Sequence, residues 1–136
     1  MTDSSSRQIL MPESAPKPLG PYSHGIRSGR WVFASGTIGN DPASGKLVAG
    51  GVEAQTRQAL TNLSATLRAG GTMLSQVVKT TVFLTDLGQF ATMNAVYAEF
   101  FPTDPPARST IQVAALPGGA LVEVEAVAVV PEADGD

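Results

Sequence analysis

Two glutamates set in an aliphatic run, and one arginine behind a proline-rich stretch, are the residues here best suited to chemistry. Over Ala120–Val130 an alternation of period two puts Val122, Val124, Ala126, Ala128 and Val130 on one face. Leu121, Glu123, Glu125, Val127 and Val129 take the other, with the two carboxylates roughly 7 Å apart. A carboxylate partly buried there would resist ionisation and suit general acid or base catalysis. The same pattern also describes a solvated strand face or an ion pair with a neighbouring chain, and it does not choose between the glutamates. Arg108, in Pro106-Ala107-Arg108-Ser109-Thr110, follows the loop Pro102–Pro106 at the start of an expected strand. Its planar fork suits bidentate capture of a carboxylate or phosphate, the alternative being a surface charge or a structural salt bridge. Tyr22, after Gly20-Pro21, offers a hydroxyl or simply packs. Ser35-Gly36, just past a buried strand, lets a ligand approach main-chain amides or marks an ordinary bulge.

Composition removes several chemistries. With no cysteine, thiolate nucleophiles, disulfides, iron–sulfur clusters and cysteine-based zinc sites are excluded. The single histidine, His24, adjoins Ser23, and strand neighbours point to opposite faces, so a Ser-His-Asp triad is rejected. No metal or redox cofactor is expected. Gly39 to Gly45 followed by Lys46-Leu47 has the wrong spacing for a phosphate-binding loop, and the sequon Asn62-Leu63-Ser64 falls in a predicted helix. A net charge of -3, a pI near 5.0 and scattered Lys and Arg argue against a nucleic-acid partner. The start Met1–Ser6 has no signal-like pattern and no apolar run nears 18 residues, so a cytoplasmic protein without membrane contact is expected.

These residues need a scaffold, which the remaining pattern supplies. A short strand is expected at Gln8–Met11, then an irregular loop over Pro12–Pro21, which holds four prolines. Tyr22–Arg27 and Arg30–Ser35 flank a two-residue turn, Ser28-Gly29, and Gly36–Gly51 reads as a long loop. Val52, Thr56, Ala59, Leu60, Leu63 and Leu67 recur at helical spacing before the stop Gly70-Gly71. Val77–Leu84 reads as a central strand with Val78, Thr80, Val82 and Leu84 on one face. Thr85 or Asp86 caps a second helix on which Phe90, Met93, Tyr97 and Phe101 form a core stripe, ended by Pro102. Strands at Thr110–Ala115 and Ala120–Val130, joined by a turn at Leu116–Gly119, close one domain with tails at residues 1–7 and 131–136. The result is an α+β domain with two helices on one face of a mixed sheet of about five or six strands. Its other face needs a cover, which small domains often obtain by oligomerising.

Pro16–Ser23 (PKPLGPYS), Ala34–Ile38 (ASGTI), Gln55–Leu63 (QTRQALTNL), Val78–Asp86 (VKTTVFLTD), Phe90–Tyr97 (FATMNAVY), Pro106–Thr110 (PARST) and Val113–Ala128, ending in LVEVEAVA, together resemble the reactive intermediate deaminase (Rid, YjgF) family, also labelled endoribonuclease L-PSP. The likeness spans about residues 8–130. It implies a chorismate-mutase-like fold assembled as a homotrimer with three clefts between subunits. It implies hydrolysis of 2-aminoacrylate-type enamines and imines to 2-keto acids and ammonia, without a cofactor. By position, Arg108 would bind the substrate carboxylate and Glu123 would position or activate water, leaving Glu125 structural. Tyr22, Ser35, Gly36 and Asn94 would line the pocket, and the main chain at Thr110 would contact the imine or the water. Thr110, Thr37 and His24 depart from the commoner cysteine, glutamine and glutamine of the family's motifs, which bears on substrate preference. The alternatives are a ribonuclease acting on single-stranded RNA and a non-catalytic binder of small carboxylates.

Overall fold

The computed structural model describes residues 6–132. Strand β1 (Arg7–Leu10) pairs antiparallel with β2 (Gly25–Ser28), and β2 with β3 (Trp31–Thr37). Ser28 pairs with Trp31, so the turn is Gly29-Arg30, one residue later than the sequence suggested, with Gly29 at a φ of 60°. The chain then crosses through α1 (Gly51–Ala69) to β4 (Val77–Leu84), α2 (Phe90–Phe100), β5 (Ala107–Gln112) and β6 (Val122–Val129). The six strands lie in the order β1-β2-β3-β6-β4-β5, and only β4 with β5 is parallel. The α+β architecture inferred from the sequence, a mixed sheet with two helices, is therefore the one observed.

Burial of one sheet face and one helical stripe makes the core. Val52, Ala59, Leu60, Leu63 and Leu67 of α1 pack over Val32, Val122, Val124 and Ala128, while Met93, Val96 and Tyr97 of α2 join Val82 and Leu84. Gly71 ends α1 at a φ of +83°, where a side chain would be strained. Asp86 caps not α2 itself but a short 3₁₀ turn, Leu87–Gln89, which runs into it; its Oδ1 accepts from the Gly88 amide at 2.8 Å.

Three local expectations need correcting. On β4 the register shifts between Val77 and Lys79, so Val77 is buried and Val78 is exposed. A bulge inserts one residue there and inverts the alternation. Strand β5 begins at Ala107, three residues before the expected start, because parallel pairing with Lys79–Leu84 draws in the residues behind Pro106. Phe90 is 41% exposed rather than part of the core stripe. Of the tails, Arg7 already pairs with Ser28 and Glu132 meets Arg30 at 3.0 Å, while residues 1–5 and 133–136 lie outside the described residues.

The outer sheet face mixes large apolar side chains with Lys79, Glu123 and Glu125 and has no covering element among the described residues. One row of outward side chains crosses all six strands: Ile9, Ile26, Phe33, Val127, Lys79 and Ala107. Trp31 at 48%, Phe33 at 47% and Ile111 at 45% are unusually exposed for residues of their size.

Candidate active site

The expected site residues fall into two groups on opposite sides of the sheet. Strand β6 carries Glu123 opposite Phe83, on the outer face. Strand β5 carries Arg108 opposite Thr80, which is fully buried on the helix side, so Arg108 points the other way. Within one subunit the two residues therefore cannot meet across a single ligand.

The Glu123 group is built at the end of β3. Ser35 and Gly36 lie where the register between β3 and β6 shifts, between Ala34 and Thr37, which turns the chain away from regular pairing. A Cβ on Gly36 would sit 2.8 Å from Cδ and Oε1 of Glu123, so the absence of a side chain there makes room for the carboxylate. The Ser35 hydroxyl donates to the Ser23 carbonyl at 2.7 Å and its amide donates to the His24 carbonyl at 2.9 Å, fixing the proline-rich loop that carries Tyr22. His24 adds a third tie through its Nε2 to the Pro16 carbonyl, a structural use of the ring. The Tyr22 hydroxyl accepts from the Leu19 amide at 3.2 Å while the residue stays 46% exposed. Tyr22, Ser35 and Gly36 line one small cavity of about 40 Å³ whose wall includes Asn62 and Thr66 of α1 but not Glu123.

Glu123 is half-buried, and desolvation, with a smaller push from the like charge of Glu125, holds its carboxyl above the ordinary glutamate range. Glu125, two residues on, is exposed. Burial thus distinguishes the two glutamates, which alternation alone did not. Since Glu123 is harder to ionise when folded, the native state binds more protons than the unfolded chain just above pH 4.5. Its contribution to stability therefore falls as pH rises through that window.

A test of the Gly36 contact follows directly. Gly36→Ala should push the flexible end of Glu123 aside at a cost below about 1 kcal/mol in stability. If Glu123 takes the water-activating role that the motif resemblance implies, activity should fall about tenfold or more, because displacement of a reacting group by about an ångström is poorly tolerated. Thermal melts and steady-state kinetics on the one variant separate the two effects.

The Arg108 group lies between edge strand β5 and α2. The guanidinium carbon is 4.7 Å from the Tyr97 ring centroid and 5.5 Å from that of Phe90. Arg108 makes no salt bridge among the described residues, whereas Arg30 and Arg57 pair with Glu132, Glu53 and Glu99. Asn94 lies on α2 between Phe90 and Tyr97, and its Oδ1 is buried without a hydrogen-bond partner. Thr110 follows two residues on along β5, on the same face as Arg108, and an edge strand leaves part of its main chain unpaired. Sequence reasoning missed Tyr97, Phe90 and Thr80 as neighbours of Arg108. The only advance signal was Thr80, a lone hydroxyl among Val82 and Leu84.

The sequence profile of the family described as Endoribonuclease L-PSP matches residues 12–130. The chain belongs to that family. Among its L-PSP relatives, the 2-iminobutanoate/2-iminopropanoate deaminase of Bos taurus is 48% identical over 90% of this chain and 90% of the bovine protein. The chloroplastic Reactive Intermediate Deaminase A of Arabidopsis thaliana is 48% identical over 90% of this chain and 65% of the plant protein. Among solved structures, E. coli TdcF with bound serine superposes with a TM-score of 0.86 at 42% identity, covering 90% of this chain and 98% of TdcF. The resemblance to the Rid family drawn from the sequence motifs is thereby upheld.

Proposed function

We propose that this chain hydrolyses 2-imino acids, and the enamines that tautomerise to them, to 2-keto acids and ammonia, in clefts that join the Arg108 group of one subunit to the Glu123 group of another. The observation that carries the reading is the pair of incomplete half-sites: an arginine with no acidic partner among the described residues and a half-buried carboxylate, on opposite faces of one sheet. Arg108 holds the substrate carboxylate in a bidentate pair. Glu123 takes one proton as water adds to the electrophilic C=N carbon and returns it to nitrogen; as the C–N bond breaks, ammonia leaves and the hydroxyl proton passes to the Glu123 carboxylate, giving the C=O group. One water is consumed and the carbonyl oxygen derives from it. Tyr22, Ser35, Gly36, Asn94 and Thr110 line the cleft, and no cofactor takes part. The likeness to proteins named deaminases supports this reading.

The exposed row through Phe33 supports a homotrimer of chorismate-mutase-like domains closed on their outer faces. Phe33→Glu places a charge in that interface and is expected to give monomers in sedimentation, with activity lost because no cleft forms. A trimer retaining full activity would count against the assembly. Among the described residues no helix is long and apolar enough to cross a membrane.

The activity is tested by generating 2-iminopropanoate with an amino-acid oxidase and following ammonia release. Acceleration over buffer that depends on both Arg108 and Glu123 is expected. No acceleration, with carboxylate binding intact, would leave a binding protein instead.

A further inference from the structure

We propose that Tyr97, assisted by Phe90, is a positioning residue for substrate capture, its ring holding the Arg108 guanidinium flat so that the N–H edge is free for a carboxylate. The inference rests on the reading of Arg108 given above. A guanidinium on a four-bond stem has many rotamers, and binding a planar anion requires one of them. Two aromatic rings at 4.7 and 5.5 Å restrict the fork through the attraction of a cation to a ring face.

Tyr97 is itself fixed. It is 5% exposed, its hydroxyl shares a 2.7 Å hydrogen bond with Thr80 Oγ1, and its ring lies 4.6 Å from that of Phe101. Thr80 is the register partner of Arg108, so the strand that carries the arginine's neighbour also carries the clamp on the ring. Burial raises the Tyr97 hydroxyl above the ordinary tyrosine range, with the Thr80 hydrogen bond, the Arg108 charge and, least, a hydrogen bond from Arg108 pulling back. The phenol therefore stays neutral and leaves the arginine charge for an external anion. A carboxylate in place of Tyr97 would form an internal ion pair and close the site.

The experiment titrates 2-oxobutanoate into wild type, Tyr97→Phe, Tyr97→Leu, Phe90→Leu and Arg108→Ala by calorimetry, with steady-state kinetics on the same proteins. Tyr97→Phe keeps the ring and should bind within about twofold of wild type, whereas Tyr97→Leu should raise both Kd and KM about tenfold with kcat nearly unchanged. Phe90→Leu, at an exposed position that does not threaten folding, should raise Kd about threefold. Wild-type affinity in both leucine variants would overturn the proposal, as would a Tyr97→Phe loss equal to that of Tyr97→Leu, which would assign the effect to the hydroxyl. If Arg108→Ala binds as wild type does, or wild type binds no 2-keto acid, the underlying reading falls with it. Weakening by Arg108→Ala without weakening by the leucine variants sinks this inference alone.

Discussion

Arg108→Ala is expected to lower kcat/KM for a 2-imino acid about a thousandfold while leaving the fold intact. Each hydrogen bond from a charged donor contributes about 1.5–3 kcal/mol, and a bidentate pair makes two, so the loss corresponds to roughly 3–6 kcal/mol of transition-state binding. The fold has little to lose. Arg108 makes no salt bridge among the described residues, and its stacking on Tyr97 and Phe90 contributes only about 1 kcal/mol at a half-exposed site. Arg108→Lys keeps the charge but not the fork and should recover only part of the activity. Kinetics of both variants, with thermal melts as the control, check the expectation. Near-normal activity in the alanine variant would contradict the role.

Glu123→Gln is expected to lower kcat by about a hundredfold or more, with KM changed little, since proton transfer by a positioned group contributes about 10²–10⁴. Its stability should move the opposite way. The native carboxyl is held above the usual glutamate range, so ionising it at neutral pH costs the folded state, and the neutral amide removes that cost. The melting temperature of Glu123→Gln should exceed that of wild type at pH 7, with the difference shrinking to nothing as pH falls below about 4.5. The acid limb of the wild-type kcat/KM profile should likewise lie above the ordinary carboxylate range. Glu125→Gln, at an exposed position, should retain most of the activity. Loss of stability at neutral pH in Glu123→Gln would contradict the electrostatic account of this residue.

Much of the fold was legible because single periodicities decide it. The spacing from Val52 to Leu67 specifies α1, and the alternation from Val122 to Val130 gives β6 its buried face without error. Boundaries set by partners rather than by local pattern were not legible. The bulge at Val78 exchanges two valines of nearly equal propensity, and the start of β5 depends on parallel pairing with a strand about thirty residues earlier. The candidate site residues were proposed through motif resemblance, which does not encode their division between two sheet faces. That division follows from the register Thr80 to Arg108 and Phe83 to Glu123, an odd offset along β4 that no feature of either motif encodes. Tyr97 was read as core, which it is, but a helical stripe does not say which charged group packs over its ring.

The opposed faces lead to the most direct test of the account, complementation between inactive variants. Arg108→Ala and Glu123→Gln are each purified, mixed in equal amounts, dissociated and reassembled, and assayed for imine hydrolysis. If each cleft takes Arg108 from one subunit and Glu123 from another, random mixing in a cyclic trimer restores about a quarter of the wild-type activity. If the mixture stays as inactive as its components while subunit exchange is demonstrated by mass spectrometry, the shared cleft is contradicted.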